Sequence, residues 1–175
     1  MIQASALMFE ITQTADDAFD QIVRQREAQL LRIAHRMLGN WADAEDVVQE
    51  AFFRLHRQAR KFPSEAALGA WLYRVIVNLC VDRSRRVSAT DELPELRANE
   101  HSAEAALLRD EQKRILMIAL GRLPAKERAA IILREIEDLP TADVADILGS
   151  SEGTVRSQIS KAMSRLRELL NKEKS

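Results

Sequence analysis

Residues 140–170 constrain the fold most, because several of their positions fit two helices joined by a tight turn. Pro140 stops one helix, and Thr141 is placed to cap the next, which should run from Ala142 to Leu148. Gly149 suits the left-handed backbone that often ends a helix. This spacing predicts a helix-turn-helix, and the alternative is a pair of ordinary core helices.

The next predicted helix begins at Glu152 and has two different faces. Its apolar residues recur at steps of three and four and form one inward stripe: Val155, Ile159, Ala162, Leu166 and Leu169. The other face carries hydroxyls and long polar or cationic side chains, which suit groove edges and phosphates: Thr154, Arg156, Ser157, Gln158, Ser160, Lys161, Ser164 and Arg165. This face is the candidate DNA-reading surface.

Composition favours an all-α protein made of one domain or two small ones. The 175 residues include only five glycines and four prolines. The net charge of -1 predicts no overall attraction to nucleic acid. The charge is unevenly distributed, however: residues 87–111 carry seven acidic and two basic side chains, whereas residues 150–175 carry three acidic and six basic. One face of such a chain can still bind phosphate.

The chemistry-bearing residues argue against an enzyme. The three histidines, His35, His56 and His101, are scattered, and Cys80 is the only cysteine and lies on an apolar helical face. No Gly-rich phosphate loop or nucleophile motif occurs. We therefore expect no catalytic group, metal or cofactor. With no stretch resembling a membrane span or a basic leader, we also expect a cytoplasmic protein without membrane insertion.

Helical periodicity divides the first half of the chain into three elements. Residues 1–14 lack a clear period and are expected to be disordered or a short extension. The predicted helices cover residues 16–38, which Gly39 should end, and about 42–60 and 65–85.

An acidic, Pro-containing segment separates the two halves. We predict a first domain over residues 15–86, a flexible linker over 87–102 and a second domain over 103–175. In the second domain, Ser102 should cap a helix that ends near Gly121, and Pro124 should open the next one. A tether of this kind does not fix how the two domains are arranged.

Two polar faces of the first domain are candidate interfaces. On the second helix, Phe53 lies on the outward side among acidic and polar residues, which is typical of a protein-binding anchor, although most charged stripes are simply solvated. On the third helix, the face with Arg74, Asn78, Asp82 and Arg85 suits DNA or plain solvent equally. The cation run at residues 83–86 favours DNA slightly.

Three sequence blocks together resemble the small extracytoplasmic-function (ECF) class of bacterial RNA polymerase sigma factors. They are residues 40–52, which read NWADAEDVVQEAF, the tetrapeptide Trp71-Leu72-Tyr73-Arg74, and the stretch from Leu123-Pro124 to Val155. The resemblance covers about residues 19–170. It implies two helical domains, a region 2 bundle of three-helix type and a region 4 helix-turn-helix, joined by the acidic linker.

The resemblance also implies roles for individual residues. Those matching the segment that docks on the clamp helices of the polymerase β′ subunit are Asp46, Gln49, Glu50 and Phe53. Those matching contacts to the promoter -10 element are Arg74 and Asn78, with Phe62 and Ser64 in the loop that captures a flipped base and Arg85 on the same DNA face. Those matching contacts near the -35 element are Arg128, Thr154, Arg156, Ser157 and Lys161.

The implied function is transcription initiation. A sigma factor binds core RNA polymerase, recognises double- and single-stranded promoter DNA and helps to open it, and an anti-sigma factor is an expected further partner. Two departures from the family pattern concern detail: the loop at residues 63–68 is less polar than usual, and Gln158 stands where arginine is common. The other functional hypothesis from the residues is a helix-turn-helix repressor or activator whose first domain dimerises or senses a ligand.

Overall fold

The computed structural model describes residues 2–57, 62–88 and 104–172, and within them the side chains of residues 20–57, 62–86 and 111–171. Every regular element in these ranges is helical, which confirms the predicted all-α class. The helices are α1 (Ile2–Leu38), α2 (Trp41–Arg57), α3 (Glu65–Ser88), α4 (Glu104–Gly121), α5 (Ala125–Ile131), α6 (Thr141–Leu148) and α7 (Glu152–Lys172). A short π-helical turn, Ile132–Ile136, continues α5. None of the described helices is long and apolar enough to cross a bilayer.

Helices α1 to α3 pack on one another and form the first unit. Gly39 ends α1 with φ 74°, as predicted, and the side chain of Asn40 then accepts a hydrogen bond of 2.8 Å from the Ala42 amide and caps α2. Ser64 caps α3 in the same way, through the Ala67 amide at 3.1 Å. Apolar residues spaced at helical intervals face inward in each of the three helices and include Ile33, Met37, Val48, Ala51, Leu72, Ile76 and Cys80.

Helices α4 to α7 form the second unit and contain the predicted helix-turn-helix. Gly149 has φ 60° and ψ 44°, and its amide bonds back into the last turn of α6. Val155 is fully buried, and α7 packs on both α5 and α6. The left-handed glycine and the inward valine therefore take the positions that the spacing predicts.

Several predicted boundaries are wrong in detail. Helix α1 already begins at Ile2, so residues 2–14 form part of a helix instead of a disordered extension. Pro140 occupies the N-cap of α6, and no side chain bonds there, so Thr141 does not cap this helix. Pro124 is likewise the N-cap of α5 and not its first residue. The expected cap at Ser102 and most of the 87–102 linker lie outside the described residues.

The two units are packed against each other, which the sequence does not predict. Helix α1 contacts α4 and α5, and α3 contacts α5 and α6. Tyr73 and Val77 of α3 are buried as well. One hydrophobic cluster runs through both units. The position of the second unit relative to the first is thus set by direct contact between helices.

We expect Gly149→Ala to lower the stability of the second unit by about 1–2 kcal/mol, because an L-residue is disfavoured at φ 60° even though open space surrounds the position. Gly121→Ala is the matched control, since space is open there too and its φ is not positive. Thermal unfolding followed by circular dichroism measures both variants. Equal melting temperatures for the two would contradict the left-handed assignment at Gly149.

Candidate protein and nucleic-acid interfaces

The outward face of α2 carries Asp46, Gln49, Glu50 and Phe53 at steps of three, one and three, so the four side chains lie on one side of the helix. Phe53 is 55% exposed, and the Arg57 guanidinium lies 5.6 Å from the centre of its ring. A large aromatic side chain surrounded by charge and open to solvent is the composition expected of an interface anchor.

A basic residue of α3 neutralises part of this acidic face. Arg83 pairs with Asp43 and, at 3.1 Å, with Asp46, while Glu50 pairs with Arg54 at 2.7 Å. An open groove of about 450 Å³ between α2 and α3 is lined by charged side chains of both helices: Asp46, Glu50, Arg54, Asp82, Arg83 and Arg86. The cation run was expected to face DNA, but Arg83 turns toward the α2 face instead. Sequence spacing could not reveal this, because Arg83 lies 40 residues from Asp43.

The polar side of α3 presents Arg74, Asn78 and Arg85 in exposed positions. Arg85 lies 4.0 Å from Asp82 of its own helix. Arg74 donates a 2.7 Å hydrogen bond to the Asp146 carbonyl of α6, in the second unit. All three side chains are therefore open to solvent, and Arg74 in addition bonds across to the second unit.

The predicted base-capturing residues belong to a second groove, of about 420 Å³, between α1 and the start of α3. The Phe62 ring packs on Trp71 with 5.7 Å between centroids, and the Ser64 side chain caps the helix beside it. The α1 residues that line this groove were missed by the sequence reading, because about 40 positions separate them from Phe62: Gln21, Ile22 and Gln25. The groove combines an aromatic face with amide groups, which suits a nucleobase.

The exposed side of α7 carries the predicted reading residues Thr154, Arg156, Ser157 and Lys161. Ser151 caps this helix through the Thr154 amide at 3.2 Å, a cap that the Ser-x-x-Thr spacing could have indicated. Arg156 is paired at 2.5 Å with Glu152 one turn earlier on the same helix. Gln158 differs from the prediction, because it is partly buried and its Oε1 atom is fully enclosed.

Arg128 is the clearest departure from the sequence prediction. It was expected to reach DNA phosphates, but it is 8% exposed, and burial lowers the pKa of its guanidinium. It donates hydrogen bonds to the carbonyl oxygens of Gly121 (2.6 Å) and Leu123 (2.9 Å), and also to that of Met37 at the end of α1. In this arrangement Arg128 joins helix ends and is almost entirely removed from solvent.

Most of the chain matches known proteins, in the same order as its two units. Residues 22–90 match the model of Sigma-70 region 2, and residues 113–166 match that of Sigma-70 region 4. The ECF RNA polymerase sigma factor SigM of Mycobacterium tuberculosis is 37% identical over 153 residues, which are 87% of this chain and 77% of that protein. The chain belongs to the ECF sigma factor family. It is therefore a promoter-recognising transcription initiation factor.

Further relatives agree in sequence or in fold. SigW of Bacillus subtilis is 31% identical over 88% of this chain and 89% of that protein. The sigma factor RpoE of Bartonella quintana, solved in complex with the anti-sigma factor NepR, superposes with a TM-score of 0.66 at 28% identity, covering 88% of this chain and 97% of that one. CnrH, solved with the cytosolic domain of CnrY, gives a TM-score of 0.65 at 26% identity, covering 89% of each chain.

We expect Arg128→Met to destabilise the free sigma factor by about 2–4 kcal/mol, because three buried carbonyls would lose their donor. Arg156→Met removes an exposed cation with a single partner on its own helix and should cost less than about 0.5 kcal/mol. Urea unfolding in the absence of DNA compares the two. If neither variant changed the free energy of unfolding, the joining role of Arg128 would be wrong.

Proposed function

We propose that this chain is a group IV sigma factor that acts in the cytoplasm, where it binds core RNA polymerase and holds the promoter at two points. The main observation behind this proposal is that three exposed faces lie on three different helices: the acidic-aromatic face of α2, the polar side of α3 and the polar side of α7. The first suits a protein, and the other two suit nucleic acid. We assign region 2 to residues 15–86, the linker to 87–102 and region 4 to 103–175.

The polymerase contact is assigned to Asp46, Gln49, Glu50 and Phe53, against the clamp helices of the β′ subunit. Phe53 offers exposed apolar area, and the carboxylates around it favour a basic partner surface. Because Arg83 already pairs with Asp46, a basic residue of the polymerase would have to compete with an internal cation at that point. Phe53 is therefore the better candidate for the main source of affinity.

The -10 contacts are assigned to Asn78, Arg74 and Arg85 along α3, with Phe62 and Ser64 at the base-capturing groove. An amide can read a base edge, guanidinium groups can hold phosphates, and an aromatic ring can stack on an extruded base. The groove also has amide groups from α1, which offer both donors and acceptors to a base.

The -35 contacts are assigned to Thr154, Arg156, Ser157 and Lys161 on α7. This helix is the second of the helix-turn-helix, and its exposed N-terminal half would enter the major groove. Arg128 can contribute to DNA binding only after its bond to Met37 is broken. We also propose an anti-sigma factor as a partner, by analogy with the complex of RpoE with the anti-sigma factor NepR.

We expect Phe53→Ala to weaken binding to core polymerase by at least about tenfold, because truncating a central aromatic anchor typically has an effect of this size. The matched control is Leu116→Ala, which also truncates an exposed large apolar side chain, but on α4 instead of α2. This variant should bind core like the wild type. Fluorescence anisotropy of labelled sigma factor titrated with core measures both. Unchanged affinity of Phe53→Ala would contradict the α2 assignment.

We expect Asn78→Ala to impair promoter opening while core binding stays at the wild-type level, since Asn78 lies on α3 and away from the α2 face. Run-off transcription with core polymerase on a randomised promoter library first selects a template, and permanganate reactivity of unpaired thymines then reports opening on it. A parallel loss of core binding would mean that α3 is misassigned. Absence of any core-dependent transcript with the wild type would contradict the proposed function.

A further inference from the structure

One buried carboxylate lies at the contact between the two units. Glu137 follows the π turn, and its side chain is 8% exposed. Arg36 of α1 pairs with Oε1 at 2.7 Å, and Gln29 of α1 donates a hydrogen bond to Oε2 at 3.0 Å. Both oxygens of a region 4 residue are thus held by a region 2 helix. Burial, reinforced by the charge of Glu137, raises the pKa of the neighbouring Tyr73 hydroxyl.

The backbone around Glu137 is irregular in a way that orients this carboxylate. Its amide bonds to the Ile132 carbonyl five residues earlier at 3.0 Å, and Asp138, which follows it, has φ 54°. A single π turn displaces the following residues around the helix axis, and a left-handed non-glycine residue is strained. The π turn and the left-handed Asp138 both raise the conformational free energy, and both adjoin the buried carboxylate of Glu137. This indicates that they hold Glu137 in position for its contact with the other unit.

The docked arrangement also occupies two arginines assigned to DNA contacts, one in each unit. The Arg74 guanidinium is bonded to the Asp146 carbonyl of α6, and the Arg128 guanidinium to the Met37 carbonyl of α1. Both bonds cross between the units. A guanidinium whose donors are turned to protein carbonyls cannot hold a phosphate with the same donors.

We propose that region 4 docks on region 2 in the free protein as a self-inhibited state that Glu137 latches through Arg36 and Gln29. This inference rests on the proposed function, because the inhibited activity is promoter binding. Promoter engagement then requires the latch to open. The apparent affinity for promoter is lowered by the fraction of molecules that remain closed, so weakening the latch should raise activity when sigma factor is limiting.

The latch can be tested with a pair of fluorophores on the full-length protein. Ala28 on α1 and Glu168 on α7 are exposed and suit Ala28→Cys and Glu168→Cys labelling sites. Cys80 is fully buried, and burial raises the pKa of its thiol to about 12, so it should stay unlabelled. Energy transfer between the labels then reports whether the units are docked.

In the doubly labelled protein, Glu137→Ala is compared with Glu135→Ala, which removes an exposed acid inside the π turn, two residues before Glu137. We expect lower transfer for Glu137→Ala, together with a severalfold rise in core-dependent transcription at limiting sigma factor, and no change in either measurement for Glu135→Ala. Both tryptophans, Trp41 and Trp71, lie in region 2, so their fluorescence checks that this unit remains folded.

A charge reversal distinguishes loss of the latch from unfolding of the variant. Arg36→Glu alone should lower energy transfer, and combining it with Glu137→Arg should restore transfer by remaking the pair with opposite polarity. Unchanged energy transfer in Glu137→Ala would overturn the latch. Lower energy transfer in this variant without increased transcription would overturn the proposed self-inhibition. A wild type silent with core polymerase would contradict the proposed function, whereas the transfer measurements would still decide whether Glu137 holds the units together.

Discussion

The buried guanidinium of Arg128 joins the two units by bonding to helix ends in both of them. The last carbonyls of a helix have no partner within it, and Arg128 donates to Met37 in the last turn of α1, to Gly121 at the end of α4 and to Leu123 just after α4. A cation at the C-terminus of a helix is also favoured by the helix dipole. One side chain therefore satisfies the helix ends of both units and fixes where they meet.

This junction separates surfaces that remain available from surfaces that are already used. The face of α2 and the reading side of α7 are exposed, so partners can reach them while the two units stay docked. Arg74 and Arg128 each use guanidinium donors for bonds across the junction, and those donors are not free to hold a phosphate. The free protein thus presents the α2 face and the reading side of α7 but an incomplete set of DNA contacts. In our account, core polymerase supplies the energy that separates the units and completes the set.

The sequence predicts those structural features that depend on residues close together along the chain. The stripe of α7, the left-handed Gly149 and the helical stop at Gly39 follow from spacings of a few residues, and the structure has all three. The contacts of Arg128 and Glu137 could not be predicted from spacing, because their partners Met37 and Arg36 lie 91 and 101 residues away along the chain. The resemblance to the sigma factor family implies a phosphate contact for Arg128. Only the packing of the two units shows that this arginine is buried.

The central claim is that the docked arrangement gives way when the sigma factor joins the polymerase. The most direct measurement is energy transfer between labels at positions 28 and 168, recorded while core polymerase is titrated into the labelled wild-type chain. The account predicts that transfer falls in step with the bound fraction, because region 2 and region 4 move apart. Transfer that stays at its free value in molecules fully bound to core would contradict it.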